Sequence, residues 1–358
     1  MKFTILTRTK WDEPPRARHQ VANSLSKLFE VSFIEANHRG FPALNEVKLF
    51  DKLVLYSPYY YLDNIYRFRL PLFNELYQKW LYKELGQIKS LDVNNPLIVF
   101  DHTCHLIAKN WPGMVIYFCN DDHLRSYGIP FLRKYFEFTE NKLAKSVDFI
   151  FVTSESLKKK FSKYSSKAHL IKLAAPSIGD GIKLSFKNKS KIKVAWVGFA
   201  GKKNDISIIK KILSHYSDIE LHFFGVIKPS VINDFKRFSN FFYHGIETGN
   251  ELYQKLNNCT VGIAPYSLDD INSGRTPNKL WLYLAVGLPV VVTNLHNIRN
   301  WQFPDNFVYR SVDNKDFIDL IIEAHEDNTS NLFQRRIQYA KENTWDHRIK
   351  VILSIIQK

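Results

Sequence analysis

The sequence predicts a doubly wound α/β protein, and three observations carry that expectation. Apolar runs of strand length recur along the chain, with helical patterns between them. Most of those runs lack polar alternation, so both faces are buried, as in parallel sheets covered by helices. Past the middle, "IKVAWVGFAGKKND" opens a fresh strand–glycine loop–helix unit, the usual start of a nucleotide-binding half.

The strands of the first half read "KFTILT", "VSFIEA", "KLVLYS", "LIVFD", "MVIYFC", "DFIFVT" and "HLIKLA". Those of the second half read "KVAWVG", "ELHFFG", "FFYHG", "TVGIAP" and "PVVVT". Between the halves, "PSIGDGIKLSFKNKSK" (176–191) is rich in Gly, Ser and Lys and poor in apolar periodicity, which marks a linker. The expected domains are 1–178 and 190–339, two Rossmann-like units facing across a cleft. The stretch "FQRRIQYAKENTWDHRIKVILSIIQK" is helical with one apolar face, and its residues 340–358 are expected to pack back on the first domain. The lysine cluster 156–172 reads as a solvated helix face.

Composition narrows the function. At 358 residues, 45% hydrophobic and 24% charged, the chain is a folded globular protein rather than a disordered one. It has no run near the roughly 18 apolar residues of a membrane span, and the apolar run at its start is too short for a signal sequence. A cytoplasmic protein is expected. Cys104, Cys119 and Cys259 show no metal spacing and read as buried thiols of a reducing compartment. The twelve histidines form no HExxH-type cluster, so no metal is expected. The net charge of +15 points to nucleic acid, an anionic membrane surface or a phosphorylated substrate, with a lysine-rich coding bias as the plain alternative.

Taken along the chain, "TKWDEPPRARHQVANSL" crowds Asp12, Glu13, Arg16, Arg18 and His19 into a proline turn and a helix start. That loop suits an anionic or polyhydroxylated acceptor; otherwise it is a solvated helix start. "SPYYYLDNIYRFRLPLFNELYQKWLYKEL" (57–85) interleaves Tyr59, Tyr60, Tyr61, Tyr66, Phe68 and Trp80 with Arg67, Arg69, Lys79 and Lys83. Such a mixture suits a bilayer interface or stacked single-stranded nucleic acid. No nucleic-acid-binding signature accompanies it, so the membrane is favoured. "VIYFCNDDHLRSYG" ends a buried strand in Asp121, Asp122 and His123. A carboxylate at a strand's carboxyl end faces the crevice where open α/β sheets hold ligands, and serves there as a general base. One Asp capping the next helix is the alternative, and His123 is a second candidate base.

In the second half, Gly198 and Gly201 let backbone N–H groups approach a ligand, with Lys202 and Lys203 adding charge. The loop is neither a Walker loop nor a full GxGxxG, and a simple strand-to-helix turn competes with the ligand reading. A stronger signal is "GIAPYSLDDINSGRTPNKLWLYLAVGLPVVVT" (262–293), where Ser273, Gly274 and Thr276 precede Pro277, and Asn278 and Lys279 occupy a first helical turn. A lysine at a helix end that is already partly positive calls for an anion, which outlines a diphosphate site. Tyr266 offers its ring to a base or its hydroxyl to a phosphate; core packing is its alternative.

These residues resemble those of bacterial GT-B glycosyltransferases, in particular the xanthan glucuronosyltransferase and teichuronic-acid glycosyltransferase group. "DEPPRARHQVANSL", "VIYFCNDDH" and "VGIAPY…PNKLWLYLAVGLPVV" are similar to that group's Pro-Pro-Arg loop, Asp-ended strand and donor-site strand and helix, in the same order. The resemblance covers most of the chain. It implies that Asp121 is the catalytic base, Lys279 the donor-diphosphate lysine and Tyr266 the nucleotide-contacting tyrosine, with Asn278 beside them. It sets a donor-contacting glutamate at Ile246 or, with one gap, Glu247, which is taken. Many retaining relatives carry two glutamates around this helix; Leu282 stands at one of those positions, which favours inversion.

The sequence thus predicts a glycosyltransferase peripheral on the inner face of the plasma membrane. It would pass a sugar from a nucleotide-sugar donor, such as a UDP-sugar, to a lipid-linked or polysaccharide precursor of lipopolysaccharide, capsule or exopolysaccharide. No cofactor or metal and no nucleic acid are expected as partners. A nucleotide-sugar epimerase of the same fold and a basic nucleic-acid-binding protein are the rivals.

Overall fold

The computed structural model describes the whole chain except residues 1, 68, 89–90, 123, 125–128, 180, 187–189, 270–271, 273–275, 300 and 358. His123, Phe68, Ser273 and Gly274 therefore lie outside the described residues. The chain divides into two compact units, one of residues 1–172 with 348–358 and one of residues 173–347.

Unit one runs β1 (Lys2–Leu6), α1 (Ala17–Ser26), β2 (Glu30–Ile34), β3 (His38–Arg39), β4 (Ala43–Phe50), β5 (Leu53–Tyr60), α2 (Asn64–Arg67), α3 (Pro71–Gln87), β6 (Leu97–Val99), α4 (His105–Asn110), β7 (Val115–Cys119), α5 (Pro130–Ser146), β8 (Phe149–Val152), α6 (Glu155–Lys160) and β9 (Ala168–Leu170). Its strand order is β3-β5-β2-β1-β6-β7-β8-β9, parallel throughout, with β4 added antiparallel to β5. β1 pairs with β2 (Lys2↔Glu30 to Leu6↔Ile34) on one side and with β6 on the other. The direction of winding reverses between β1 and β6, and ligands of open α/β sheets sit at such a switch, outside the strands' carboxyl ends. β4 escapes a reading by apolar runs, because "ALNEVKLF" is exposed along most of its length.

Unit two runs β10 (Ile192–Ala200), α7 (Ile206–His215), β11 (Ile219–Ile227), α8 (Pro229–Lys236), β12 (Phe241–Tyr243), α9 (Gly249–Asn257), β13 (Val261–Ala264), α10 (Lys279–Ala285), β14 (Val290–Thr293), β15 (Val308–Ser311), α11 (Phe317–Glu326) and α12 (Ser330–Glu342), followed by the first residues of α13 (Trp345–Ile356). Its parallel order, β12-β11-β10-β13-β14-β15, is the 3-2-1-4-5-6 winding of dinucleotide-binding folds, with the switch between β10 and β13. Val194, Trp196, Phe223, Ile263 and Val291 are buried at the sheet's centre. Truncating such a residue costs about 2–5 kcal/mol.

Two details depart from the sequence reading. The glycine loop begins later than "KVAWVG" suggests, since β10 continues through Gly198 to Ala200. The C-terminal stretch is two helices rather than one. At the break the Ala175 N–H donates to the Asn343 carbonyl (2.9 Å), and the Trp345 N–H donates to the Ala175 carbonyl. α13 crosses the division, its residues from Arg348 on belonging to unit one. All three cysteines are buried thiols.

Candidate functional site

The carboxyl ends of β10 and β13 gather the predicted donor residues, and α10 explains how. Tyr283, one turn beyond Lys279 on the same helix face, accepts a hydrogen bond from the Val197 N–H (2.8 Å) and donates to the Ile263 carbonyl (3.1 Å). Its ring fits because position 262 is glycine: a Cβ there would meet the ring at 2.3 Å. This lock fixes the helix against both switch-point strands and lays Lys279 over the end of β10. A methyl on Gly198 would lie 3.3 Å from the Lys279 Nζ, and Gly198 itself has φ +121°. The same ammonium stands 5.4 Å from the centre of the Tyr266 ring. Tyr266 is only 4% exposed, so its ring steadies the lysine instead of opening to a base.

Four asparagine and threonine side chains, none singled out from sequence, tie the loops around this point. Asn204 accepts from the Gly201 N–H and donates to the Pro265 carbonyl. Asn272 donates to the carbonyls of Lys203 and Ser267. Thr293 accepts from the Tyr266 N–H, and Asn314, at φ 66°, donates to the Tyr266 carbonyl and to Asp205. Asn tolerates left-handed backbone better than most residues, which suits Asn314 to this position.

Other predicted donor residues fare differently. Pro277 precedes α10 instead of starting it, and Asn278 is its N-cap residue without a capping bond from its side chain. Thr276 Oγ1 and Asn278 Oδ1 are buried polar atoms with no hydrogen-bond partner among the described residues. Each such group costs about 1–3 kcal/mol until something satisfies it. Gly201 lies in the turn after β10, and Lys202 is exposed beside it. Glu247 is ion-paired to Lys255 of α9, whose hydrogen bond lowers the carboxyl pKa; its charge is already met within the unit. Ile246, the other position offered by the resemblance, is exposed.

In unit one, Asp121 follows β7, half-buried, and its carboxylate has no partner among the described residues. Asp122 pairs with Lys160 (2.9 Å), which also pairs with Glu140 (2.7 Å). Glu140 in turn accepts from the Tyr117 hydroxyl. Burial works against the Lys160 ammonium, but Glu140 and Asp122 hold its pKa above the ordinary value. The two adjacent aspartates are thereby separated into one committed and one available carboxylate.

The loop after β1 is rigidly built, and that changes the standing of its predicted acceptor residues. His19 is saturated: its Nδ1 accepts from the Arg16 N–H (3.0 Å) and its Nε2 bonds the Lys10 carbonyl (3.1 Å). It stacks on Phe33, and burial lowers its pKa to about 4. His19 is thus part of the scaffold and does not face a ligand. Asp12 and Arg16 are exposed, with Arg16 paired to Glu13. Arg18 is 4% exposed and donates to Thr7 Oγ1 at 3.4 Å, yet among the described residues its Nε has no partner and no carboxylate pairs with it. Its guanidinium lies 6.0 Å over Phe100, the residue after β6, which sets it at the switch between β1 and β6. Burial, with Arg16 and Arg8 nearby, lowers its pKa to about 9. Asp101, a buried carboxylate whose charge also acts on Arg18, is held by Arg67 (3.3 Å) and Thr103.

The aromatic–basic segment divides as well. Tyr60 is buried on β5, and Arg67 is buried, donating to Asn37, Asn64 and Asn74 as well as Asp101. Exposed are Tyr61, Ile65, Tyr66, Leu70, Leu72 and Leu76, together with Arg69, Lys79 and Lys83. Among the described residues no helix is long and apolar enough to cross a membrane.

With this geometry the chain is similar to solved structures of sugar-transferring enzymes. One is sucrose-phosphate synthase from Thermosynechococcus elongatus, at TM-score 0.77 and 9% identity, covering 100% of this chain and 98% of that one. The E. coli trehalose-6-phosphate enzyme bound with UDP-2-fluoro glucose matches at TM-score 0.69 and 9% identity, over 100% and 99%. WaaG, a glycosyltransferase involved in lipopolysaccharide biosynthesis, matches at TM-score 0.66 and 13% identity, over 99% of each chain. No known family matches the chain, and no curated protein matches it by sequence. At these identities the likeness establishes the fold, which is α/β of the GT-B type.

Proposed function

We propose that the protein is a glycosyltransferase that takes a sugar from a nucleoside-diphosphate sugar, of the kind used by the xanthan and teichuronic-acid enzymes. The observation that carries this reading is the meeting of Lys279, Gly198 and Tyr266 at the switch of unit two. The ammonium meets the charge that develops on the leaving diphosphate, and the missing Cβ of Gly198 leaves room for it. The unsatisfied Thr276 and Asn278 atoms gain partners when the donor binds. Phe199 and Val226, register partners at the ends of β10 and β11 and both exposed, offer apolar surface to the base. That two UDP-sugar or lipopolysaccharide enzymes share the fold supports the donor class.

In this reading Asp121 takes the proton of the attacking hydroxyl, and the sugar transfers with inversion. Lys160 keeps Asp122 out of that role. The unpaired Arg18 favours an acceptor with an anionic group, such as a lipid-linked or polysaccharide precursor of lipopolysaccharide, capsule or exopolysaccharide. The exposed aromatic and basic residues of 61–83 favour residence on the inner face of the plasma membrane. Neither a cofactor nor a metal enters the scheme. A thermal-shift screen of nucleotide sugars tests the function: one nucleotide sugar and its nucleoside diphosphate should both stabilise the protein. Stabilisation by polynucleotide alone would contradict the proposal, and interconversion of two nucleotide sugars without an acceptor would make it an epimerase.

A further inference from the structure

Unit two holds a cavity of about 410 Å³ that the donor reading leaves unused, lined by Arg299, Trp301, Gln302, Phe303 and Arg310. The size is that of small-molecule sites. Its lining comes from the segment joining β14 to β15, with Arg310 contributed by β15 itself.

Its lining is unusual in charge. Arg299 is exposed and has no ion-pair or hydrogen-bond partner for its side chain among the described residues. Arg310 is half-buried; it donates to the Trp301 carbonyl, and its Nε is a buried donor with no acceptor. Burial lowers the Arg310 pKa, and no carboxylate offsets the effect. Buried guanidinium groups are ordinarily paired, because leaving one unpaired in a low-dielectric setting is costly. The Arg310 guanidinium also stands 5.8 Å from the centre of the Phe303 ring. Behind the lining, Trp281 packs 5.8 Å from Phe303 and 6.4 Å from Trp301, and its ring is stacked on Tyr339. The Trp281 Nε1 is a further buried donor without an acceptor.

A ligand that fits this lining carries an anionic group for two forked guanidinium groups and an apolar face for the aromatic rings. It also carries hydroxyls that the Gln302 amide can bond. A sugar ring presents its C–H face to aromatic side chains and its hydroxyls to amides, and a carboxylate or phosphate ester supplies the charge. We infer that this cavity is a second carbohydrate site, one that binds an acidic sugar unit apart from the donor. It would hold a carboxylated or phosphorylated glycan on the same unit that binds the nucleotide sugar.

Calorimetry on the full chain tests this with trigalacturonate, a singly phosphorylated maltotriose and neutral maltotriose at equal ionic strength. One or both acidic trisaccharides should bind, and maltotriose should bind at least about ten-fold more weakly. The stronger of the two acidic probes identifies the anion as carboxylate or phosphate. Arg299→Gln, at an exposed residue that no other side chain holds, should lower that affinity by about ten-fold or more, and Arg310→Gln should do the same. Both variants should keep wild-type affinity for uridine diphosphate, while Lys279→Ala should keep the trisaccharide affinity. Equal binding of the acidic and neutral probes, no binding of any, or unchanged affinity in Arg299→Gln would overturn the inference. Failure of the uridine diphosphate control in the wild type would instead count against the donor assignment alone.

Discussion

Replacing Gly198 with alanine separates the folding role of the β10 end from its proposed role toward the donor. At φ +121° an L-residue is strained, at a cost of roughly 1–3 kcal/mol. The added methyl meets the Lys279 Nζ at 3.3 Å and Cε at 3.8 Å, the far end of a flexible chain. The clash itself therefore adds little to the folding cost, but the ammonium must move by a few tenths of an ångström. A domain the size of unit two loses roughly 2–4 °C of Tm per kcal/mol, so its melting should fall by roughly 2–12 °C. The methyl also fills the room that the proposed function leaves for the diphosphate, and exclusion of that charge-assisted contact, worth about 1.5–3 kcal/mol, should weaken binding by up to roughly 10- to 100-fold. Gly225→Ala is the control. Its Cβ would meet the Gly198 carbonyl oxygen at 1.9 Å, backbone against backbone, so it should unsettle the sheet more than Gly198→Ala does. Scanning calorimetry and titration with uridine diphosphate measure both effects. Wild-type affinity in a destabilised Gly198→Ala would refute the donor half of the reasoning, and an unchanged melting point would refute the strain.

Asp121→Asn should lower sugar transfer by at least about 100-fold with donor affinity intact, whereas Asp122→Asn should chiefly lower stability by leaving Lys160 with Glu140 as its one remaining carboxylate partner among the described residues; near wild-type turnover of Asp121→Asn would move the base elsewhere. Burial lowers the His19 pKa to about 4 and that of His102 to about 3, from 6.5, so both stay neutral when folded while the unfolded chain gains protons below about pH 6.5. Stability should therefore be full above pH 6.5 and should fall by about 4 kcal/mol for the pair by pH 5, a loss read from urea midpoints that His19→Gln should roughly halve; a flat profile would contradict it. Co-sedimentation with vesicles should rise with anionic lipid, fall with salt, and drop when Tyr66 and Leu72 are both replaced by serine; equal pelleting with neutral vesicles would count against a membrane face.

The parallel strands were legible because strands buried on both faces are continuous apolar runs, as in "KVAWVG" and "PVVVT". β4 was not, since an exposed edge strand needs no apolar run. The break between α12 and α13 was hidden because Asn343 and Thr344 interrupt no apolar period, and the pairing with Ala175 that ends the helix is remote in sequence. At the candidate site, Lys279 and Gly198 stood out by residue type, one as a charge in an apolar setting and the other as a glycine at a strand end. Tyr283, which no sequence signal singles out, is what positions Lys279. His19 and Arg18 are neighbours in one motif, yet one is saturated by backbone and the other is left with an unpaired Nε. Only the three-dimensional hydrogen-bond pattern separates them.

In the proposed function the switch of unit two holds a nucleoside diphosphate through Lys279. Isothermal titration of wild type and Lys279→Ala with the cognate nucleoside diphosphate measures it directly. The wild type should bind, and the variant should bind roughly 10- to 100-fold more weakly while still melting as a folded protein. Equal affinity in the two proteins would contradict it.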